Sequence, residues 1–151
     1  MNQQQNIAAH ISKVPQITAL FWITKIFATT FGETGGDAVS MSLNLGYLIS
    51  TFIFAVFFVA FLFFQISSES YRPYLYWLTI IASTTVGTTL ADFVDRSLGI
   101  GYIGGSSVLL GLVCLSLLSW YKVEGSILPD TVKYPRAEIF YWLTITFSQT
   151  L

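Results

Sequence analysis

Residues four apart stack along one side of a helix, and the segment from Lys25 through Thr29 and Glu33 to Asp37 has that spacing. A second run, Ile80, Thr84, Thr88, Asp92 and Arg96, repeats it further along the chain. Carboxylate, hydroxyl and carbonyl oxygens suit hard cations such as Mn²⁺, Ca²⁺ and Mg²⁺. Glu33, Asp37 and Asp92 are the candidate metal ligands and proton carriers, and Thr29, Thr30, Thr84 and Thr85 are expected to line the ion pathway. Lys25 is expected to neutralise an acid on another helix or to snorkel to the interface. A second account of the same residues makes them structural. Threonines then bond to their own backbone, glycines serve as packing notches, and Asp92 pairs with Arg96 one turn on, with Asp95 close by.

The elements that carry these residues belong in a bilayer. Mean hydropathy is +0.66, and charged residues make up 10% of the chain, against about a quarter in soluble domains. A hydrocarbon core of roughly 30 Å takes about 20 apolar residues per helix. The stretches Ile17–Gly36, Gly46–Phe64, Tyr74–Phe93 and Ile103–Tyr121 meet that need, and a fifth begins near Ile139. Lys13, Arg72, Lys122, Lys133 and Arg136 fall on one side of these spans and only Arg96 on the other, which predicts a cytoplasmic N-terminus. The chain divides into a polar tail (1–16), a first repeat (17–70), a second (71–125), a cytoplasmic loop (126–138) and the start of a third repeat (139–151). Pro129 and Pro135 are expected to keep that loop from being helical throughout.

The repeats are explicit. Phe21–Tyr47 aligns without a gap on Tyr76–Tyr102 at a shift of 55 residues, the offset from Trp22 to Trp77. Thr30/Thr85, Gly32/Gly87, Asp37/Asp92 and Gly46/Gly101 all coincide, a match that hydrophobicity alone does not produce. Trp142 opens a third copy in which Thr150 takes the place of Thr85, and the chain is expected to continue into further repeats beyond Leu151. Two spans per repeat make successive copies enter the bilayer in the same direction, so Asp37 and Asp92 lie at one depth. A charge at the bilayer centre costs about 2.5–3.5 kcal/mol. The polar odd spans therefore belong inside and the apolar even spans outside, and the phenylalanine-rich second span faces lipid. Gly32-x-x-x-Gly36, Gly87-x-x-x-Ala91 and Gly101-x-x-x-Gly105 are expected to let backbones approach closely.

The order Trp-x-Thr, Thr-Thr-x-Gly, Asp, Gly-Tyr in tandem two-span units resembles the prokaryotic membrane proteins grouped as domain of unknown function 347. That resemblance implies four repeats of two transmembrane helices, each with a tryptophan, here Trp22, Trp77 and Trp142. It also implies that a second copy of the chain or further C-terminal repeats complete the assembly. Glu-x-Gly-Gly-Asp, Glu33 to Asp37, is loosely similar to the Glu-x-Gly-Asp signature of Golgi-type calcium/manganese exchangers, with one residue inserted and Ala38 where that signature has a base.

Taken together, the residues predict an inner-membrane transporter of a divalent cation coupled to protons. A non-transporting scaffold or regulatory anchor is the competing reading. No cofactor, nucleic-acid partner or enzymatic activity is expected: the single histidine, His10, lies in the polar tail, and Cys114 lies in an apolar span.

Overall fold

The computed structural model describes residues 13–151, so His10 and most of the polar tail lie outside the described residues. All regular structure there is helical. The five main helices are α1 (Ala19–Asp37), α2 (Tyr47–Ser67), α3 (Pro73–Asp92), α4 (Gly101–Glu124) and α5 (Pro135–Thr150). A short 3₁₀ turn, Pro129–Thr131, interrupts the α4–α5 connection. The helices α2, α3 with its extension to Ser97, and α4 are long and apolar enough to cross a membrane. The charged helix α1 and the 16-residue α5 are not among them. The chain is an all-helical membrane protein built on an internal repeat.

Local chemistry sets the helix ends. Thr18 caps α1 by accepting from the Phe21 N–H at 3.2 Å, which satisfies one of the free donors of the first turn. Pro73 and Pro135 open α3 and α5, positions where a missing N–H costs nothing. Pro135 therefore starts the last helix, four residues before the predicted Ile139. Gly125 ends α4 in the left-handed conformation, its N–H bonded to the Tyr121 carbonyl at 2.9 Å.

The repeat extends to irregular backbone. Both α1 and α3 widen into a π-helical turn at matching positions, Ala38–Ser42 and Phe93–Ser97. Each is followed by two residues of positive φ, Asn44 and Gly46 in the first copy and Gly99 and Gly101 in the second. Gly101 was expected to pack a neighbouring helix, but a Cβ there meets nothing within 4 Å. Its role is the φ of +76°, which side chains other than glycine resist.

Helix α3 is the centre, packed against α1, α2 and α5, while α4 lies on α5. Half of its apolar window is buried, against 6% for α2 and α4. The even helices α2 and α4 thus present Phe52, Phe57, Phe63, Leu110 and Leu115 outward, as expected of lipid-facing surfaces. The inward polar residues are mostly hydroxyls of α3: Thr79, Ser83, Thr84, Thr85 and Thr89 are buried and bond back to carbonyls one turn earlier. Each of these five hydroxyls is satisfied within its own helix, as a bilayer demands.

Candidate functional site

The α1–α3 contact is made of small residues. Ala28, Gly32 and Gly36 are the buried positions of α1. A Cβ on Gly32 would lie 2.9 Å from the Ile81 carbonyl oxygen and 3.2 Å from the Thr85 hydroxyl. Glycine is required there because the backbones touch: the Thr85 hydroxyl reaches the Gly32 carbonyl at 3.0 Å. One turn on, Gly36 meets the methyl groups of Thr89 and Thr85. The same device joins α3 to α5, where a side chain on Gly87 would collide with Thr150.

This packing turns the acids into one cavity of about 590 Å³ at the end where α1 and α3 finish. Glu33 and Asp37 of α1 line it together with Thr88, Asp92 and Asp95 of α3 and its π turn. Tyr102, Leu109 and Leu112 of α4 and Gln149 of α5 complete the wall. Four carboxylates thus share the space, and one of them, Asp92, is paired with a guanidinium that does not line it. Arg96 binds Asp92 through Nε at 3.0 Å, donates to the Tyr47 hydroxyl at 3.1 Å and lies over the Tyr47 ring at 5.8 Å.

The sequence-derived set divides. Glu33, Asp37 and Asp92 come to the cavity, and Ala91 lies beside them. Thr84 and Thr85 do not line it; they are buried in the helix contacts. Thr29 bonds to the Lys25 carbonyl at 3.0 Å, and Thr30 opens on a shallow outer groove with Phe27 and Phe31. Lys25 is half-buried on α1, outside the cavity lining. The cause is helical drift. Four residues overshoot a turn by about 40°, so three steps swing the Lys25–Asp37 stripe through about a third of a turn.

Two residues of the site were not singled out by spacing. Asp95 aligns with Ser40 of the first copy, and the Ser40 hydroxyl merely bonds the Gly36 carbonyl at 2.8 Å. Asp95 instead tucks one carboxylate oxygen, Oδ1, against Gly105, so close that a Cβ there would lie 2.5 Å away. That oxygen is buried without a hydrogen-bond partner. Gln149 accepts from Ser83 at 2.8 Å and from Thr84 at 3.3 Å, which leaves its amide nitrogen buried and unpartnered. In the sequence Asp95 stood out only as a neighbour of the Asp92–Arg96 pair. Among the described residues, no three His, Cys, Asp or Glu side chains group closely enough to hold a metal ion by themselves.

The far end of the bundle is held by a buried ion pair. Lys13 and Glu138, both buried, meet at 2.9 Å. The Lys13 ammonium also donates to the Ile66 carbonyl at 2.9 Å, and Gln65 donates to the other Glu138 oxygen at 3.3 Å. Beside them the Tyr76 and Tyr141 hydroxyls share a hydrogen bond of 2.5 Å within a cluster that includes Trp120 and Trp142.

No curated protein and no solved structure matches this chain. One family does, that described as Repeat of Unknown Function (DUF347), and it matches twice, over residues 20–71 and 75–126. Those two segments are the two helix pairs, α1–α2 and α3–α4, that the glycine–threonine contact joins, and the chain belongs to this family of tandem membrane repeats.

Proposed function

We propose that the chain is part of a membrane transporter for a small cation, with the acid-lined cavity as its binding site. The observation that carries this reading is the convergence of Glu33, Asp37, Asp92 and Asp95, from two repeats, on one cavity. Acids that cost several kcal/mol in lipid are gathered where a cation can offset their charge. A divalent metal of the Mn²⁺, Ca²⁺ or Mg²⁺ type is the proposed substrate. Because no three acids close on one point, it keeps part of its water shell, as Mg²⁺ commonly does. Asp37 and Asp92 exchange it against protons. The ion-paired and aromatic end, which holds Lys13, Arg72 and Arg136, is the cytoplasmic one by the bias of basic residues. The site thus opens to the opposite side of the inner membrane, and no catalytic chemistry is assigned to the chain.

The scaffold reading keeps one specific support: Thr84 and Thr85 glue helices and line nothing. Mn²⁺ uptake by proteoliposomes holding the wild-type chain, Asp37→Asn or Asp92→Asn separates the two. Transport predicts uptake by the wild type that both variants lose while remaining monodisperse in detergent. Equal background uptake by all three supports the scaffold.

A further inference from the structure

Two hollows on the outer surface of α2 join end to end. The first, of about 600 Å³, follows one face of the helix through Phe52, Val56, Ala60 and Phe64. The second, of about 720 Å³, lies between the end of α2 and the start of α3, where Ser67, Tyr71 and Arg72 line it. Phe64 belongs to both, so one furrow runs from the α2–α3 connection down the helix. Ala55 and Ala60 keep it deep between larger side chains.

The furrow has the length and polarity of a lipid lying in one leaflet. From Phe52 to Phe64 is about 18 Å of helix at about 1.5 Å per residue, and half of a roughly 30 Å hydrocarbon core is about 15 Å. That stretch is lined by apolar side chains alone. The mouth is polar, and it joins two helices that are each long and apolar enough to cross a membrane. Ser67 and Arg72 are exposed there and Tyr71 is half-buried. Tyr74, 88% exposed, stands beside them, as aromatic residues do at the level of lipid headgroups. Arg72 makes no ion pair among the described residues, although Glu69 is near in sequence.

We propose that this furrow binds an anionic phospholipid, with the phosphate on Arg72 and one acyl chain along α2 as far as Phe52. Arginine matches a phosphate with two parallel hydrogen bonds, and basic residues at the membrane surface select anionic lipids. The charge decides the occupant. An apolar helix laid in the furrow would meet Phe52 and Val56 equally well, but it would leave the guanidinium at the mouth without a partner. A zwitterionic lipid brings its own cation, which competes with Arg72 for the phosphate. The groove between α1 and α3 that holds Phe31 and Trp77 is apolar too but has no charged residue, so it carries no such preference.

Lipid retention by the purified full chain tests the site. The chain is stripped in neutral detergent and mixed with equimolar dioleoyl phosphatidylglycerol and dioleoyl phosphatidylcholine. Native mass spectrometry then counts the lipids that stay bound. The wild type is expected to hold phosphatidylglycerol about fivefold over phosphatidylcholine, the effect of one basic residue at an anionic surface. Arg72→Gln should remove the preference and Arg72→Lys should keep part of it, since lysine retains the charge without the fork. Lys122→Gln, at the end of α4 and outside the furrow, should leave it unchanged. Ala60→Trp fills the furrow from its exposed side and should lower the phosphatidylglycerol held. A wild type without headgroup preference overturns the proposal, and is the result expected if a neighbouring helix covers the furrow. So does a preference that survives Arg72→Gln or is equally lost in Lys122→Gln, or phosphatidylglycerol binding that Ala60→Trp leaves intact.

Discussion

At the end of the bundle where α3 and α5 begin, Lys13 and Glu138 neutralise each other in a buried pair whose oxygens and protons are shared with Gln65 and Ile66. At the other end, Glu33, Asp37, Asp92 and Asp95 line a common cavity, only Asp92 among them is ion-paired, and an Asp95 oxygen is buried with no partner. The two ends hold charge in opposite ways. The first spends its charges on internal contacts beside a buried cluster that holds a tyrosine pair and two tryptophans. The second leaves charge uncompensated, an arrangement that adds little to stability and suits an incoming cation. Packing and the proposed binding site are thus segregated along the bundle axis.

The sharpest way to break this contrast is at the ion-paired end. Glu138→Ala leaves the Lys13 ammonium buried and unpaired and should destabilise the fold by about 3–5 kcal/mol, read as a lowered denaturation midpoint in detergent. Replacing both partners with methionine should recover most of that loss, because the pair as a whole contributes less than either half costs when stranded. Next in size, Gly32→Leu forces α1 off the Ile81 carbonyl and should cost about 1–3 kcal/mol by the same measurement. Tyr76→Phe removes the hydroxyl bonded to Tyr141 and should cost about 1 kcal/mol. At the open end, Asp92→Asn should leave the denaturation midpoint unchanged, since Arg96 keeps its contact with Tyr47, yet reduce Mn²⁺ binding measured by calorimetry. A large stability loss from Asp92→Asn, or none from Glu138→Ala, would erase the distinction between the two ends.

Much of this architecture was legible in the sequence because a repeat is a long-range constraint written in local letters. Matching Trp22 to Trp77 and Asp37 to Asp92 placed the acids at one level, and the cost of charge in lipid predicted an inward lining, whereas Glu33 and Asp37 line the cavity and remain exposed. What the letters did not fix was rotation. Spacing by fours made Lys25 and Asp37 one stripe, whereas the 3.6-residue turn parts them; the expected Gly32–Gly36 ridge is the face that is buried, extended by Ala28. Thr85 read as a pathway residue because a hydroxyl that lines a pore and one that glues a helix look alike in sequence. The Lys13–Glu138 pair joins residues 125 positions apart and lies outside any repeat, so no internal comparison could reveal it.

The π-helical turns at Ala38–Ser42 and Phe93–Ser97 carry a historical consequence. A helix interior accommodates an extra residue only at a cost, and chance rarely places two such insertions 55 residues apart with the same pair of positive-φ residues after each. The simplest origin is a single ancestral unit that already had this bend before the gene doubled. The kink is thus common to both copies, whereas the acids are not: Glu33 stands opposite Thr88, and Asp95 opposite Ser40.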